Sequence, residues 1–339
     1  MLGAVLMIAT MTSGCAKLDE NKTVATVDGV DIKMDLVNFY ARYQQMQTEA
    51  MYGSYMGGVD MWKQVAEGKN YEELTKETII DSLIMMHILE EKQEEYQVSL
   101  SEEEKTKIQE AAKAFADANG EKETAMISGN EATVARMLTL MTIENKMREA
   151  TTEDVDKEVP DSEAAQKKMI YVKLPITTTD DEGNSVDLSD EEKEDLKKEA
   201  QTFIEEAKKA EDFKALAEEQ EFLPIELTFD SESTNMDAIV IKAADELKEG
   251  EVSDIIETAS GYYVAKLETL LDREATDAKK ETIVTERRNE AYDELCKEWE
   301  EVANIKKDER ALKAINFTRQ GVTMKIEEPE VTEDPVAEE

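Results

Sequence analysis

Apolar residues along this chain change their spacing at a few definite places, and those changes divide it into segments. "VATVDGVDIKMDLVNFYARYQQMQTEA" opens with a short alternating strand, turns at Asp28-Gly29, and then sets Leu36, Phe39, Tyr40 and Tyr43 on one face at helical spacing. "MYGSYMGGVDMWKQ" interrupts that period with glycines and concentrates methionine and aromatic residues, so it reads as a loop with an adhesive face. Helical spacing returns over 71–96 through Leu74, Ile80, Leu83, Ile84 and His87. Ser101 with Glu104 makes a capping box for the next helix, and Met126 to Met147 supplies another amphipathic run. The pattern predicts a helical domain over 23–160.

Charge, Pro160 and the loss of apolar period in "TTEDVDKEVPDSEAA" mark a boundary. After it come the strand "KKMIYVKLPI" and the acidic insert "TTTDDEGNSVDLSDEE", which reads as a solvated surface loop. Ser189 with Glu192 caps a long helix through Ala210, and "EDFKALAEEQ" gives a shorter one. The strand "LPIELTF", a helix from Met236 to Leu247 and two strands within "GEVSDIIETASGYYVAKLE" complete a small α+β domain over 161–272. From Asp277 to Ile315 a single helical pattern resumes, with Val284, Ala291, Leu295, Trp299 and Val302 on its apolar stripe. A helix that long does not persist half-exposed, so the segment 273–320 is expected to pack back on the N-terminal helices, leaving 321–339 as an acidic disordered tail.

Charge narrows the partners. The 339 residues carry 40 basic and 80 acidic groups, a net charge of -40 spread over the whole length. Such a surface repels phosphate backbones and anionic headgroups, which argues against nucleic acid as a partner and leaves basic or unfolded polypeptide acceptable. Two cysteines, Cys15 and Cys296, do not make a disulfide framework, and a single histidine, His87, removes most histidine-based metal sites and catalytic triads. No metal or cofactor is expected. Residues 1–14, "MLGAVLMIATMTSG", have the length and small-residue ending of a signal peptide and are too short to span a bilayer as a helix. "TSGC" resembles a bacterial lipobox, which makes Cys15 the lipidated residue of the mature chain and 15–22 a tether, with an uncleaved membrane anchor or a buried N-terminal helix as the alternative. Thr12 stands where an aliphatic residue is usual, and no Lys or Arg precedes the apolar run.

The order of elements, with "KMIYVKL" at the first strand of the small domain, "AEDFKALAEE" after the long helix and "ADELKEGEVSDIIETASGYYVAKLE" at the end, resembles an extracytoplasmic foldase of the parvulin class. In architecture it is similar to PrsA-type lipoprotein foldases and SurA-type periplasmic chaperones, and "VATVDGVDIKMDLVNFY" resembles the opening of their N-terminal chaperone domain. The resemblance implies an α+β chain: a SurA-like helical domain built from both terminal segments, and an inserted parvulin-like domain with a four-stranded sheet. It implies a chaperone anchored to the outer face of the cell membrane and acting on unfolded exported proteins, or an active peptidyl-prolyl cis-trans isomerase assisting their folding. Members that isomerise prolyl bonds usually carry one histidine in the first strand and another in the last, with a "GGDLG" motif at the second strand. Here Met169 and Tyr263 stand in the histidine places, Tyr171 lies beside them, and "QEFLPIELTFD" has no glycine. An aromatic wall on the helix before the acidic turn is replaced by Val240 and Asp245. The resemblance thus implies a degenerate site.

Other residues have plainer readings. Strand alternation puts one of Tyr262 and Tyr263 in the core and the other on the surface. His87 shares its face with Ile80, Leu83 and Ile84, as a core histidine would, and Cys296 beside Leu295 and Trp299 reads as a small buried apolar group. Methionine is flexible and polarisable, so a Met-rich surface can accept many apolar sequences. Met51, Tyr52, Tyr55, Met56, Met61 and Trp62 are therefore candidates for a client-binding cradle, with a plug in the domain's own core as the alternative.

Overall fold

The computed structural model of the chain describes residues 6–11, 18–66, 68–180 and 182–325. They divide into two compact units, one made of residues up to Asp154 and from Glu290 onward, the other of Val155–Asn289. Among the described residues no helix is long and apolar enough to cross a membrane.

The first unit begins with β1 (Leu6–Met11), β2 (Thr23–Val27) and β3 (Val30–Lys33). Asp28 and Gly29 both have positive φ, 49° and 92°, which closes the β2–β3 hairpin with the twist its strands need. Helix α1 (Met34–Met56) follows at once and ends where Gly57, at φ 85°, donates its N–H to the Gly53 carbonyl. The first six residues of the expected loop over 51–64 are therefore the last turn and a half of a helix, because Gly53 is tolerated within it and only the left-handed Gly57 stops it. A 3-10 turn (Gly58–Lys63) and the small hairpin β4 (Val65–Ala66) and β5 (Lys69–Asn70) lead into α2 (Tyr71–Lys92), whose Asn70 and Glu73 make a capping box. Ser101 and Glu104 cap α3 (Glu102–Ala118) as expected. The Met126 to Met147 run is two helices, α4 (Glu121–Met126) and α5 (Glu131–Thr151), because Ser128 takes φ 54° and Asn130 caps a new start. Val37, Phe39, Leu83, Ile84, Leu140 and Ile143 centre the core, with Phe39 edge-on to Phe115 at 5.5 Å.

The second unit opens with α6 (Asp161–Ala164) and β6 (Lys167–Pro175). The acidic insert is a hairpin, β7 (Thr177–Thr179) with β8 (Ser185–Asp187), closed by the Asp180 carboxylate accepting from the backbone N–H groups of Glu182 and Asn184. Then come α7 (Asp190–Ala207), α8 (Phe213–Glu219), β9 (Ile225–Phe229), α9 (Ala238–Asp245), β10 (Ile256–Thr258), β11 (Gly261–Thr269) and α10 (Arg273–Val302). The four-stranded sheet has order β10-β11-β6-β9, and all its pairings are antiparallel. Each of its faces is covered. Ile170, Val172, Leu174 and Val264 pack with Phe203 and Phe213 of α7 and α8, while Met169, Ala265 and Leu267 pack with Val240, Ile241 and Ala244 of α9. That double burial explains why β6 reads as a continuous apolar run rather than an alternating one.

The returning segment departs most from expectation. Helix α10 stops at Val302, which is 78% exposed, and the stripe that buries is Tyr292, Cys296 and Trp299. It stops because Asn304 exchanges hydrogen bonds with Asp28, giving its carbonyl to the Asp28 N–H and its N–H to the Asp28 carboxylate. That exchange sets β12 (Ile305–Lys307) antiparallel on β2. A 3-10 turn (Ala311–Ala314) and β13 (Gln320–Lys325) follow, so the ordered chain extends past the expected start of the tail. Residues 326–339 lie outside the described residues. Buried Arg42 of α1 reaches this segment, donating to the Gln45 side chain at 2.7 Å, to the Gln320 side chain at 2.9 Å and to the Gln320 carbonyl at 3.1 Å.

Gly261 opens β11 at φ 151°, where an added Cβ would lie 2.4 Å from the Leu174 carbonyl oxygen. Gly261→Ala should destabilise the second unit by about 1–3 kcal/mol, read as a lower urea midpoint. The Asp161 carboxylate bonds Arg273 at 2.8 Å and Lys280 at 2.5 Å, and these cations hold it well below the usual carboxylate range. A carboxylate depressed on folding stabilises at pH values above its unfolded pKa of about 3.9, and that contribution is lost as pH falls through the folded value. Asp161→Asn should therefore flatten the acid limb of the stability curve below about pH 4, measured as urea midpoints at neutral and acid pH.

Candidate functional site

Pairing of β6 with β11 decides which side chains share the face where a parvulin-like site would lie. Tyr263 is opposite Lys173, Ala265 opposite Tyr171 and Leu267 opposite Met169, so the alternate residues Met169, Tyr171 and Lys173 stand on one face with Tyr263. On the outer strands Ile256 lies opposite Tyr263 and Ile225 opposite Tyr171. All three expected positions thus come together, but at different depths. Met169 is fully buried beneath α9, whereas Tyr171 and Tyr263 sit just under the surface with ring centroids 5.8 Å apart. Tyr262, on the opposite face, is half-buried against the α7 side rather than free on the surface.

The chemistry on this face is sparse. The Tyr263 hydroxyl lies 3.1 Å from Ser260 Oγ, and Lys173 Nζ lies 5.5 Å from the Tyr263 ring centre. Burial pushes the Tyr171 phenol above its ordinary pKa, so it stays neutral and able to donate a hydrogen bond. Val240 is in the core, and the Asp245 carboxylate pairs with Lys167 at 2.8 Å while its carbonyl accepts from the same ammonium at 2.7 Å. These two residues hold α9 on the sheet and wall nothing. Exposed Leu223 and Ile225 continue the apolar surface beyond Tyr171. The face sets two phenol hydroxyls beside apolar side chains and brings no imidazole to bear on a peptide bond. Ile225 belongs to the "FLPIEL" strand expected beside these residues, whereas Ser260 and Lys173 were not expected, since only strand register places them here.

The Met-rich cluster divides. Met51, Tyr52 and Tyr55 are exposed at the end of α1, at 63%, 46% and 87%. Met56 is half-buried, and Met61 and Trp62 are sealed in the core. Trp62 stacks on Tyr71 at 5.4 Å, meets Phe317 edge-on at 4.7 Å and donates its indole N–H to Glu49 at 2.7 Å, which removes it and Met61 from any open cradle. Trp62, Lys63 and Val65 border a cleft of about 560 Å³ shared with Asn70, Lys313 and Thr318. The returning part of α10 is packed by aromatic contacts. Trp299 packs edge-on to Tyr96 at 5.5 Å, and Arg148 lies 3.8 Å over the Tyr292 ring.

His87 is buried, its Nδ1 2.7 Å from the Leu83 carbonyl, and burial pushes its pKa below the ordinary value. Buried Cys296 has its thiol pKa pushed up by the same cause. No group of three or more potential metal ligands occurs among the described residues. Cys15 lies outside them.

Tyr263→Phe, which keeps the ring and deletes the hydroxyl bonded to Ser260, should cost about 1 kcal/mol in urea unfolding. Tyr171→Ala, which removes one ring of the Tyr171–Tyr263 pair and leaves a cavity, should cost about 3–5 kcal/mol in the same measurement.

Comparison with known proteins places these features. Residues 168–280 match the family model of the PPIC-type PPIase domain. The chain is 25% identical to the foldase protein PrsA of Clostridium botulinum strain 657 over 342 residues, covering 92% of this chain and 96% of that protein. PrsA of C. botulinum strain Kyoto is 24% identical over the same extent. Among solved structures, the foldase PrsA of Lactococcus lactis is similar at 16% identity and a TM-score of 0.34, covering 86% of this chain and 96% of that one. A SurA-like chaperone of Campylobacter jejuni is similar at 11% identity and a TM-score of 0.32, covering 85% and 100%. Residues 168–280 thus match a PPIC-type PPIase domain, within a chain similar to PrsA foldases over 92% of its length.

Proposed function

We propose that this protein is an extracytoplasmic chaperone that holds unfolded exported chains while they fold, anchored by lipid at Cys15 after removal of residues 1–14. The observation that carries this reading is the exposed apolar face of Met51, Tyr52 and Tyr55 on a chain similar to PrsA over 92% of its length. Two phenol rings and a thioether can contact many apolar sequences without demanding one. The net charge of -40 keeps a loaded complex soluble and draws in basic clients.

In this reading the PPIC-type domain binds or spaces rather than catalyses. Rotation about an X-Pro bond must cross about 18–20 kcal/mol, and lowering that barrier requires polar groups placed for the twisted state. Met169 and Tyr263 fill the positions where imidazoles usually stand, and Met169 is wholly buried. What supports retained proline binding is the apolar rim of Tyr171 and Ile225.

Replacing Met51, Tyr52 and Tyr55 together with serine should weaken suppression of client aggregation several-fold, with the urea midpoint shifted by no more than about 0.5 kcal/mol equivalent. Unchanged suppression across several clients would remove the face from the account. In a proline-peptide assay, where uncatalysed conversion takes tens of seconds, the purified protein should leave the time course unaltered. Acceleration in proportion to protein concentration would establish the isomerase reading instead.

A further inference from the structure

Strand β1 is the apolar hexapeptide LMIATM, and it lies antiparallel on β13 in six consecutive register pairs from Leu6↔Lys325 to Met11↔Gln320. It belongs to the segment that the proposed processing removes. Among the described residues β13 pairs with no other strand. Processing would therefore bare a six-residue edge whose backbone donors and acceptors on that side have lost their partners.

That edge stays in place without β1, because its other side is gripped by the body of the unit. Arg42 and Gln45 both donate to the Gln320 carbonyl, at 3.1 and 3.0 Å, and the Gln320 side chain donates to the Met126 carbonyl at the end of α4. Val322 is buried in the core. A strand held along one side and open along the other is preorganised to take an extended peptide by strand addition, with main-chain bonds supplying affinity. The occupant present shows what fits: a short, uncharged, apolar stretch in extended form.

From these observations we infer that the β13 edge of the processed chain is a strand-acceptor site for extended apolar segments of unfolded polypeptide, and that the leader occupies it until it is cleaved. The inference builds on the chaperone and processing reading above and names the mode of client capture. A tethered leader competes at an effective concentration in the millimolar range, so an unprocessed chain is closed to clients at this edge.

The test uses two chains, the full length and one beginning at residue 15 with Cys15→Ser, and a fluorescent LMIATM peptide extended with lysines for solubility. Anisotropy should show the shorter chain binding at least about tenfold more tightly than the full length. Two further peptides, N-methylated at the odd or the even residues, separate strand addition from greasy contact. One set should lose about tenfold or more in affinity and the other little, since only alternate amides face the ladder. Equal affinity of the two chains, or equal loss from both methylated sets, overturns the inference. So does failure of the shorter chain to fold, judged by urea unfolding, because β1 would then be a structural strand. If the shorter chain suppresses client aggregation yet binds no peptide, the chaperone reading survives and strand capture does not. Peptide binding without suppression does the reverse.

Discussion

A guanidinium shut away from water dictates how the first unit is assembled. Arg42 is only 2% exposed, and leaving such a charge uncompensated would cost several kcal/mol. Its partners come from its own helix and from the far end of the chain, through Gln45, the Asn316 carbonyl and both ends of Gln320. A second buried pair grips the same stretch: Lys76 bonds Glu72 and the Ile315 carbonyl, and Glu72 accepts the N–H of Phe317. Residues 315–320 are thus part of the core of a unit whose first strands and helices lie some three hundred positions earlier, and the placement of Trp62 against Phe317 follows from the same grip.

The shape of the second unit rests on apolar burial at both faces of its sheet. A sheet buried on both faces is stabilised by Ile170, Val172, Val264 and Phe203 on one side and by Met169, Phe229, Val240 and Leu267 on the other. None of that burial needs a histidine. At Met169 a thioether adds to the apolar core, and at Tyr263 a phenol keeps one polar tip beside Ser260. The packing that maintains the fold is therefore independent of any group that would act on a prolyl bond.

Much of this was legible in the residues. The order of elements in the second unit followed from capping boxes and apolar spacing, because Ser189 with Glu192 and the β11 alternation are local signals. Long-range pairing was not legible. Nothing in "NIKKDE" announces a strand, since β12 exists only because Asn304 meets Asp28 and Ile305 meets Val27. The Met-rich cluster was readable in kind but not in depth, because a sequence cannot say that Phe317 arrives to cover Trp62 while Tyr55 stays open. At the candidate site, Met169, Tyr171 and Tyr263 were readable from motif positions, whereas Lys173 came to the same face through register alone.

Because the first unit is completed only by the residues after Glu290, its core cannot close on a ribosome or at a translocation pore until nearly the whole chain has emerged. The contiguous unit of Val155–Asn289 has all its strands in hand well before that moment. The usual amino-to-carboxyl sequence of domain maturation is inverted here. In vectorial synthesis, such late closure keeps the leading helices from packing until the last residues of the unit are available.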